Sequence, residues 1–325
     1  MRALLLLFGL LFAVGRGYAQ STSETTAAIR ASADSAQVAI PFDRRPGDRS
    51  TIRLVKARAE RQDGVLSDST RGVWLIDARV LASRPRGYTL AWTYRPEGEE
   101  MEGPTFDLAT STLEGVPIVF RTDRTGQPYE IANGDSLRAA IDVALRRLAP
   151  RPNPQRRALL DNIRATAATD AGLEALLLPD AERFHLVSGG RYPVGQSVTY
   201  RSALPNPFGG APIPAVASFR LSLTRDSVAT VRWRQTPDAE ALARILIDLL
   251  AEVSPDRPRL TPAEVARRFG VEEEATYRIG IERGRVWSVR YRKDVRFGAR
   301  TRTEHVMMET QRPRIPEETE TDQPR

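Results

Sequence analysis

The sequence predicts an α+β fold in which a curved, largely antiparallel β-sheet, open or shaped as a half barrel, packs against several α-helices. Three observations predict it. Period-two alternation of apolar and polar residues, rich in β-branched and aromatic side chains, fills two separate stretches of chain. Short turns join the strands within each stretch, and short connections pair neighbours antiparallel. Helical spacing is gathered into blocks, whereas a doubly wound parallel sheet would alternate helix and strand throughout.

Arg2, the apolar run Leu4 to Val14 and Gly17-Tyr18-Ala19 read as a signal peptide over 1–19, cleaved before Gln20. That run is too short to span a bilayer core of about 30 Å. The Ser-, Thr- and Ala-rich stretch that follows reads as a mobile leader over 20–37. In the first strand block, Ile52, Leu54 and Lys56 share one face. Trp74, Ile76, Ala78 and Val80 share the next, and Tyr88, Leu90, Trp92 and Tyr94 a third. Asp63-Gly64 and the segment Ser83 to Gly87 supply the turns. Val116 to Thr122 and Gln127 to Ala132 form a further hairpin.

From Leu137 the spacing becomes helical, through Ala140, Ile141, Ala144, Leu145 and Leu148, with Asp135 or Ser136 as N-cap and Pro150 as stop. A second helix starts near Pro154, and Gly172 to Leu178 reads as a short third. Strands return at Phe184 to Leu186 and Ser197 to Ala203. A hairpin then sets Phe219, Leu221 and Leu223 against Ala229, Val231 and Trp233, turning at Arg225-Asp226. Asp238 to Val253 is again helical. Thr261-Pro262-Ala263-Glu264 is a capping box that opens another helix, with Gly270 to end it. Tyr277, Ile279 and Ile281 pair with Trp287, Val289 and Tyr291, a last strand runs to Glu309, and 312–325 reads as a disordered Pro- and Glu-rich tail. Residues 38–311 form one α+β domain or two closely packed halves, 38–183 and 184–311.

Composition narrows the function. The absence of cysteine excludes disulfides, zinc–thiolate sites, iron–sulfur clusters, thiol nucleophiles and the acylated-lipoprotein route. Net charge is +7, falling to about +5 once Arg2 and Arg16 leave with the signal. The arginines are spread among Asp and Glu along the chain, which fits a GC-rich coding bias and argues against a nucleic-acid partner. Only His185 and His305 are available as histidine bases, and no Gly-x-Ser-x-Gly elbow accompanies them. Each reads as a strand histidine, solvent-facing or satisfied in the core. Lys56 and Lys293 lie in Arg-dense strands and read as solvated, and the acidic runs Glu97 to Glu102 and Glu272 to Glu274 read as surface. No catalytic residue, metal site or cofactor is expected.

Two features point to binding. Trp74, Trp92, Tyr94, Trp233 and Trp287 stand on strand faces that could line an apolar pocket. The long Pro- and Gly-rich connection from Leu204 to Pro214 carries Phe208 as a candidate lid or rim residue.

The segments Leu113-Glu-Gly-Val-Pro-Ile-Val-Phe120, Thr125-Gly-Gln-Pro-Tyr-Glu-Ile131 and Phe184-His-Leu-Val-Ser-Gly-Gly-Arg-Tyr-Pro-Val-Gly-Gln-Ser197 carry a resemblance over about residues 50–235. Their order resembles uncharacterised exported bacterial proteins, and the architecture is similar to half-barrel carriers of lipids and lipoproteins. That likeness implies an apolar cavity under an incompletely closed sheet and no catalytic residues. The expectation is a soluble, non-enzymatic, periplasmic or extracellular protein, without a membrane span after cleavage, that binds a lipid-like hydrophobic molecule within the sheet. The alternative is a structural or protein-interaction module of the cell envelope with a filled core.

Overall fold

The alternating segments pair into one broad antiparallel sheet. The structure, a computed structural model, describes residues 36–98, 113–148, 154–204, 206, 211–224, 227–253 and 260–311. The first strand block comprises β2 (Arg49–Gln62), β3 (Val65–Arg84), β4 (Gly87–Pro96), β5 (Pro117–Thr122) and β6 (Pro128–Ile131). Four helices follow, α1 (Gly134–Leu148), α2 (Pro154–Ala167), α3 (Asp170–Leu177) and α4 (Pro179–His185). The second block holds β8 (Ser197–Leu204), β9 (Ile213–Thr224), β10 (Val228–Pro237), β11 (Phe269–Gly280), β12 (Arg285–Phe297) and β13 (Arg300–Thr310). Helices α5 (Ala239–Val253) and α6 (Pro262–Arg268) connect β10 to β11. A small ribbon pairs β1 (Gln37–Ala39) with β7 (Arg191–Pro193), so Gln37, the last residue of the expected leader, sits opposite Pro193.

Strand order across the eleven-stranded sheet is β6-β5-β4-β3-β2-β13-β12-β11-β10-β9-β8. The last strand joins the two blocks: β13 pairs with β2 from Arg300 opposite Gln62 to Thr310 opposite Ile52. The edge strands β6 and β8 do not pair with each other, so the sheet is open. Local chemistry sets the register. Asp63 and Gly64 both have positive φ, 53° and 81°, the geometry of a two-residue hairpin turn that matches strand twist. Gly72 is needed for another reason: a Cβ there would come within 2.2 Å of the Trp74 ring, which lies across it.

One face of the sheet is covered by helices. Ile52, Leu54, Trp74, Ile76, Leu90, Trp92 and Tyr94 pack there with Leu137, Ile141 and Leu145 of α1, Leu173 and Leu177 of α3, and Phe184 of α4. The same cluster reaches Val231, Trp233, Tyr277 and Val289 in the second block. Helices α5 and α6 cover the other end of this inner face, where Leu242, Ala243, Leu246 and Val265 meet Leu204, Ile213, Ala215 and Phe269.

Three local expectations are corrected. Phe184 to Leu186 is not a strand, because Pro179 opens α4 and its helical spacing buries Ala181, Phe184 and His185 together. Helix α6 stops at Arg268, not Gly270: Phe269 turns inward against Phe297, ring centroids 4.3 Å apart, and Gly270 lies inside β11. Neither Asp135 nor Ser136 caps α1, which already begins at Gly134, and the Asn133 carbonyl accepts from the Leu137 amide. The capping box of α6 forms as expected, with Thr261 and Glu264 bonded reciprocally. The proposed stop at Pro150 and the turn Arg225-Asp226 lie outside the described residues.

Candidate functional site

Alternation fixes which side chains meet on the inner face, and following the register across it reveals a polar row. Tyr200 on β8 faces Ala217, which faces Gln235, then Glu273, Lys293, Glu304, Arg58 and finally Thr70 on β3. The row separates the large apolar cluster from the smaller one under α5 and α6. Buried charge of this kind is retained only when paired.

Pairing is extensive. Lys293 Nζ lies 2.9 Å from Glu273, Arg302 Nε lies 3.6 Å from Glu60, and Arg58 also pairs with Glu60. From the helical layer, α4 adds Asp180 and Arg183. Asp180 accepts from Lys56 Nζ at 2.8 Å, from the Tyr94 hydroxyl at 3.3 Å and from Arg183 at 3.3 Å. Arg183 reaches Glu304 at 3.7 Å and lies over the Tyr291 ring at 4.8 Å. Its backbone carbonyl accepts from the Tyr277 hydroxyl at 3.0 Å.

Burial shapes the acidity of this region. Desolvation, reinforced by the Arg58 charge, lowers the Arg302 guanidinium to about 9 against the opposing pull of Glu60 and Glu304. Desolvation first, and Glu273 second, raise the Tyr291 hydroxyl, and burial likewise raises Tyr277. Arg58 Nε, Thr70 Oγ1 and Gln235 Oε1 are buried and have no hydrogen-bond partner, and all three belong to the same row. Buried polar atoms are normally satisfied, so a row holding three exceptions is suited to ordered water or to polar atoms of a ligand.

These side chains correct two readings. Lys56 is buried against Asp180, not solvated, and Lys293 is partnered with Glu273, which is only 2% exposed. The middle residue of the acidic run Glu272 to Glu274 therefore points inward. Arg-rich strands hid this, because β-alternation puts every second charge of such a strand on the covered face. The pairing of Lys56 with a helix residue 124 positions away leaves no local signal.

The aromatic candidates separate into groups. Trp74, Trp92 and Tyr94 are 1–2% exposed on adjacent strands. Trp92 touches Phe120 and Phe184 at 5.8 Å and His185 at 6.0 Å between ring centroids. Trp233 lies on β10, five strand spacings from Trp74, or roughly 24 Å along the sheet. Its indole N–H donates to the Tyr200 hydroxyl at 3.3 Å, and burial raises that hydroxyl to about 12. Trp287 does not join the inner face. A register shift between Arg278 and Ile279 leaves it as an extra residue on β12, 41% exposed and lying over Gly280. Phe208 lies outside the described residues.

His305 is exposed on β13, whereas His185 is enclosed by Phe42, Trp92 and Phe184 with neither ring nitrogen partnered. Burial, with a smaller contribution from the Arg44 charge, lowers its pKa to about 3, so the ring is neutral. Among the described residues no group of three His, Asp or Glu side chains could hold a metal ion, and no helix is long and apolar enough to cross a membrane.

A pocket of about 170 Å³ lies between α5, α6 and the sheet. Leu242, Ala243, Val265, Phe269 and Val271 give it an apolar lining. Val271 is one inner-face position from Glu273, and the lining residues Thr236 and Pro237 directly follow Gln235. The pocket thus opens beside the polar row. Ile245, Ile247, Leu249 and Leu250 of α5 are only partly buried, and Ile245, Ile247 and Leu250 pack against the smaller cluster.

No family model and no curated protein matches the chain. Among solved structures, similarity is found to lipovitellin, described for its lipid–protein interactions, at TM-score 0.42 and 8% identity. That match covers 83% of this chain but 26% of lipovitellin, so the chain spans about a quarter of its length. The Rv2717c protein of M. tuberculosis matches at TM-score 0.23 and 8% identity, over 80% of this chain and 91% of that one. The ywiB protein of Bacillus subtilis matches at TM-score 0.13 and 8% identity, over 81% and 94%.

Proposed function

We propose that this chain is an exported, non-enzymatic protein that binds a lipid-like amphiphile on the inner face of a curved sheet. The apolar part of the ligand enters the pocket between α5, α6 and β11, and its polar part meets the row that includes Gln235, Glu273 and Lys293. The observation that carries this reading is the adjacency of an apolar pocket to the end of the polar row where Gln235 Oε1 is buried without a partner; Arg58 and Thr70 lie four and five strands further along the row. Binding sites commonly combine an apolar lining with a few polar groups that orient the ligand. At about 170 Å³ the pocket is below the usual range of roughly 300–1,000 Å³, so α5 has to move outward to admit a long chain. Ile245, Ile247, Leu249 and Leu250 of α5 are only partly buried, so that movement gives up less apolar contact than displacing a fully buried helix would. Four carboxylates of the polar region, Glu60, Asp180, Glu273 and Glu304, are each engaged by a cation, which favours recognition over acid–base chemistry.

The second reading, a structural or protein-interaction module, is favoured by the packing of Trp74, Trp92 and Tyr94, which fill the space under α1 to α4. One experiment separates the two. Protein purified from its native source is extracted with organic solvent and analysed by mass spectrometry, and the stripped protein is titrated with a fluorescent fatty acid. Ligand binding predicts a stoichiometric amphiphile in the extract and saturable probe uptake, weakened in an Ala243→Phe variant that fills the pocket. Clean extracts together with no saturable uptake would leave the structural module.

A further inference from the structure

The outer face of the sheet, turned away from the helices, carries charge of a different kind. Arg220, Arg232, Arg278 and Arg290 on β9 to β12 are exposed and form no ion pair with any described residue. Their neighbours Arg234 and Arg292 are paired, with Glu272 at 2.6 Å and Asp294 at 2.7 Å. Arg220 stands directly opposite Arg232, Thr276 lies between Arg232 and Arg290, and Arg278 is the next outward residue along β11. Like charges directly opposite on paired strands oppose folding. Ser222, Thr230, Thr276 and Ser288 beside them are short and leave the guanidinium groups open to an incoming anion, while the acidic outward residues Glu272, Glu274 and Asp294 stand beside Arg234 and Arg292, further along the strands. At the hairpin end of the same strands stands Trp287, exposed beside Arg278 and Ser288.

We propose that this outer face is a docking site for an anionic phospholipid surface. Charge complementarity selects the occupant's sign, since unpaired arginines on neighbouring strands about 4.8 Å apart present a cationic array. The exposed tryptophan selects its kind, because an amphipathic ring at the edge of a basic patch is the arrangement that settles at a lipid headgroup layer. A single-stranded nucleic acid would call for aromatic rings interleaved with the arginines, and the outward residues of β8 to β12 other than Trp287 include none.

The test is vesicle flotation with the full chain, using phosphatidylcholine alone and phosphatidylcholine with added phosphatidylglycerol, at low and high salt. Binding is expected only with phosphatidylglycerol and is expected to fall at high salt. The double variant Arg232→Ser, Arg290→Ser should bind about 30-fold more weakly. The double Arg→Lys variant at the same positions should stay within a few-fold of the parent and melt with it, and the Arg→Ser protein should melt at or slightly above the parent, because it loses the repulsion between Arg232 and Arg220. Trp287→Phe should remove the vesicle-induced shift in tryptophan emission. Equal binding to phosphatidylcholine, undiminished binding by the Arg→Ser protein, or displacement from vesicles by duplex DNA or inorganic phosphate beyond that caused by sodium chloride of the same ionic strength would overturn the assignment.

Discussion

Replacing Lys56 by Met tests whether the polar region holds α4 onto the sheet. Lys56 and Asp180 side chains are 10% and 5% exposed, and their ionic contact is 2.8 Å long. Removing one member of a buried pair costs about 3–5 kcal/mol, because the remaining charge stays desolvated. Asp180 keeps Arg183 and the Tyr94 hydroxyl in this variant, so the lower end, about 3 kcal/mol, is expected. For a domain of this size that corresponds to a fall in Tm of about 6–12 °C. Met matches the length of the lysine stem, so packing beside Trp74 is largely retained. Near-UV circular dichroism through a thermal ramp gives the stability, and amide hydrogen exchange over α4 gives the location. Exchange should accelerate in Pro179–His185 before the central strands are affected. A Lys56→Met protein melting within about 2 °C of the parent would refute the reasoning. So would strict additivity with Asp180→Asn, since contacting residues are expected to couple by about 0.5 kcal/mol or more.

Other perturbations have equally defined outcomes. His185 titrates at about 3 when folded against 6.5 in the free chain, so the unfolded state takes up the proton first and stability falls as pH drops from 6.5 toward 3. The full effect approaches about 5 kcal/mol, and urea unfolding of His185→Phe at stepped pH should show that slope flattened relative to the parent. Glu182 runs the opposite way. Burial raises its folded pKa to about 7 from 4.5, so the folded state keeps a proton that the unfolded chain has lost and stability falls as pH rises through 4.5–7. Glu182→Gln should therefore gain stability over the parent at pH 7 by up to about 3 kcal/mol, and an unchanged difference between pH 5 and 7 would contradict the assignment. Thr261→Ala removes the α6 capping box and should cost about 1 kcal/mol, seen as faster exchange in Pro262–Arg268. Gly72→Ala places a methyl against the buried Trp74 ring and should cost about 1–3 kcal/mol with altered near-UV tryptophan ellipticity.

Much of the fold is legible in the residues because its information is local. Trp74, Ile76 and Val80, or Tyr88, Leu90, Trp92 and Tyr94, alternate over only a few residues, and all are buried on the covered side. Asp63-Gly64 and Thr261 to Glu264 carry their turn and cap chemistry within four residues. Phe184 to Leu186 is too short to decide its own period, since three residues support either, and Pro179 with the contacts of Asp180 makes it helical. Trp287 follows the alternation of its hairpin in sequence, but the register shift beside Ile279 turns it outward.

The sequence alone determined that the chain forms amphipathic strands in two blocks around grouped helices, and that thiol chemistry is excluded by the absence of cysteine. Tertiary structure decided that β13 pairs with β2 and makes a single sheet of the two blocks. It also decided that Lys56, Asp180, Glu273 and Lys293 are drawn under cover while Arg220, Arg232, Arg278 and Arg290 remain in solvent. The physical reason is that alternation reports only that two faces differ. Which face is covered, and which charges find partners there, depends on contacts between residues far apart in the chain.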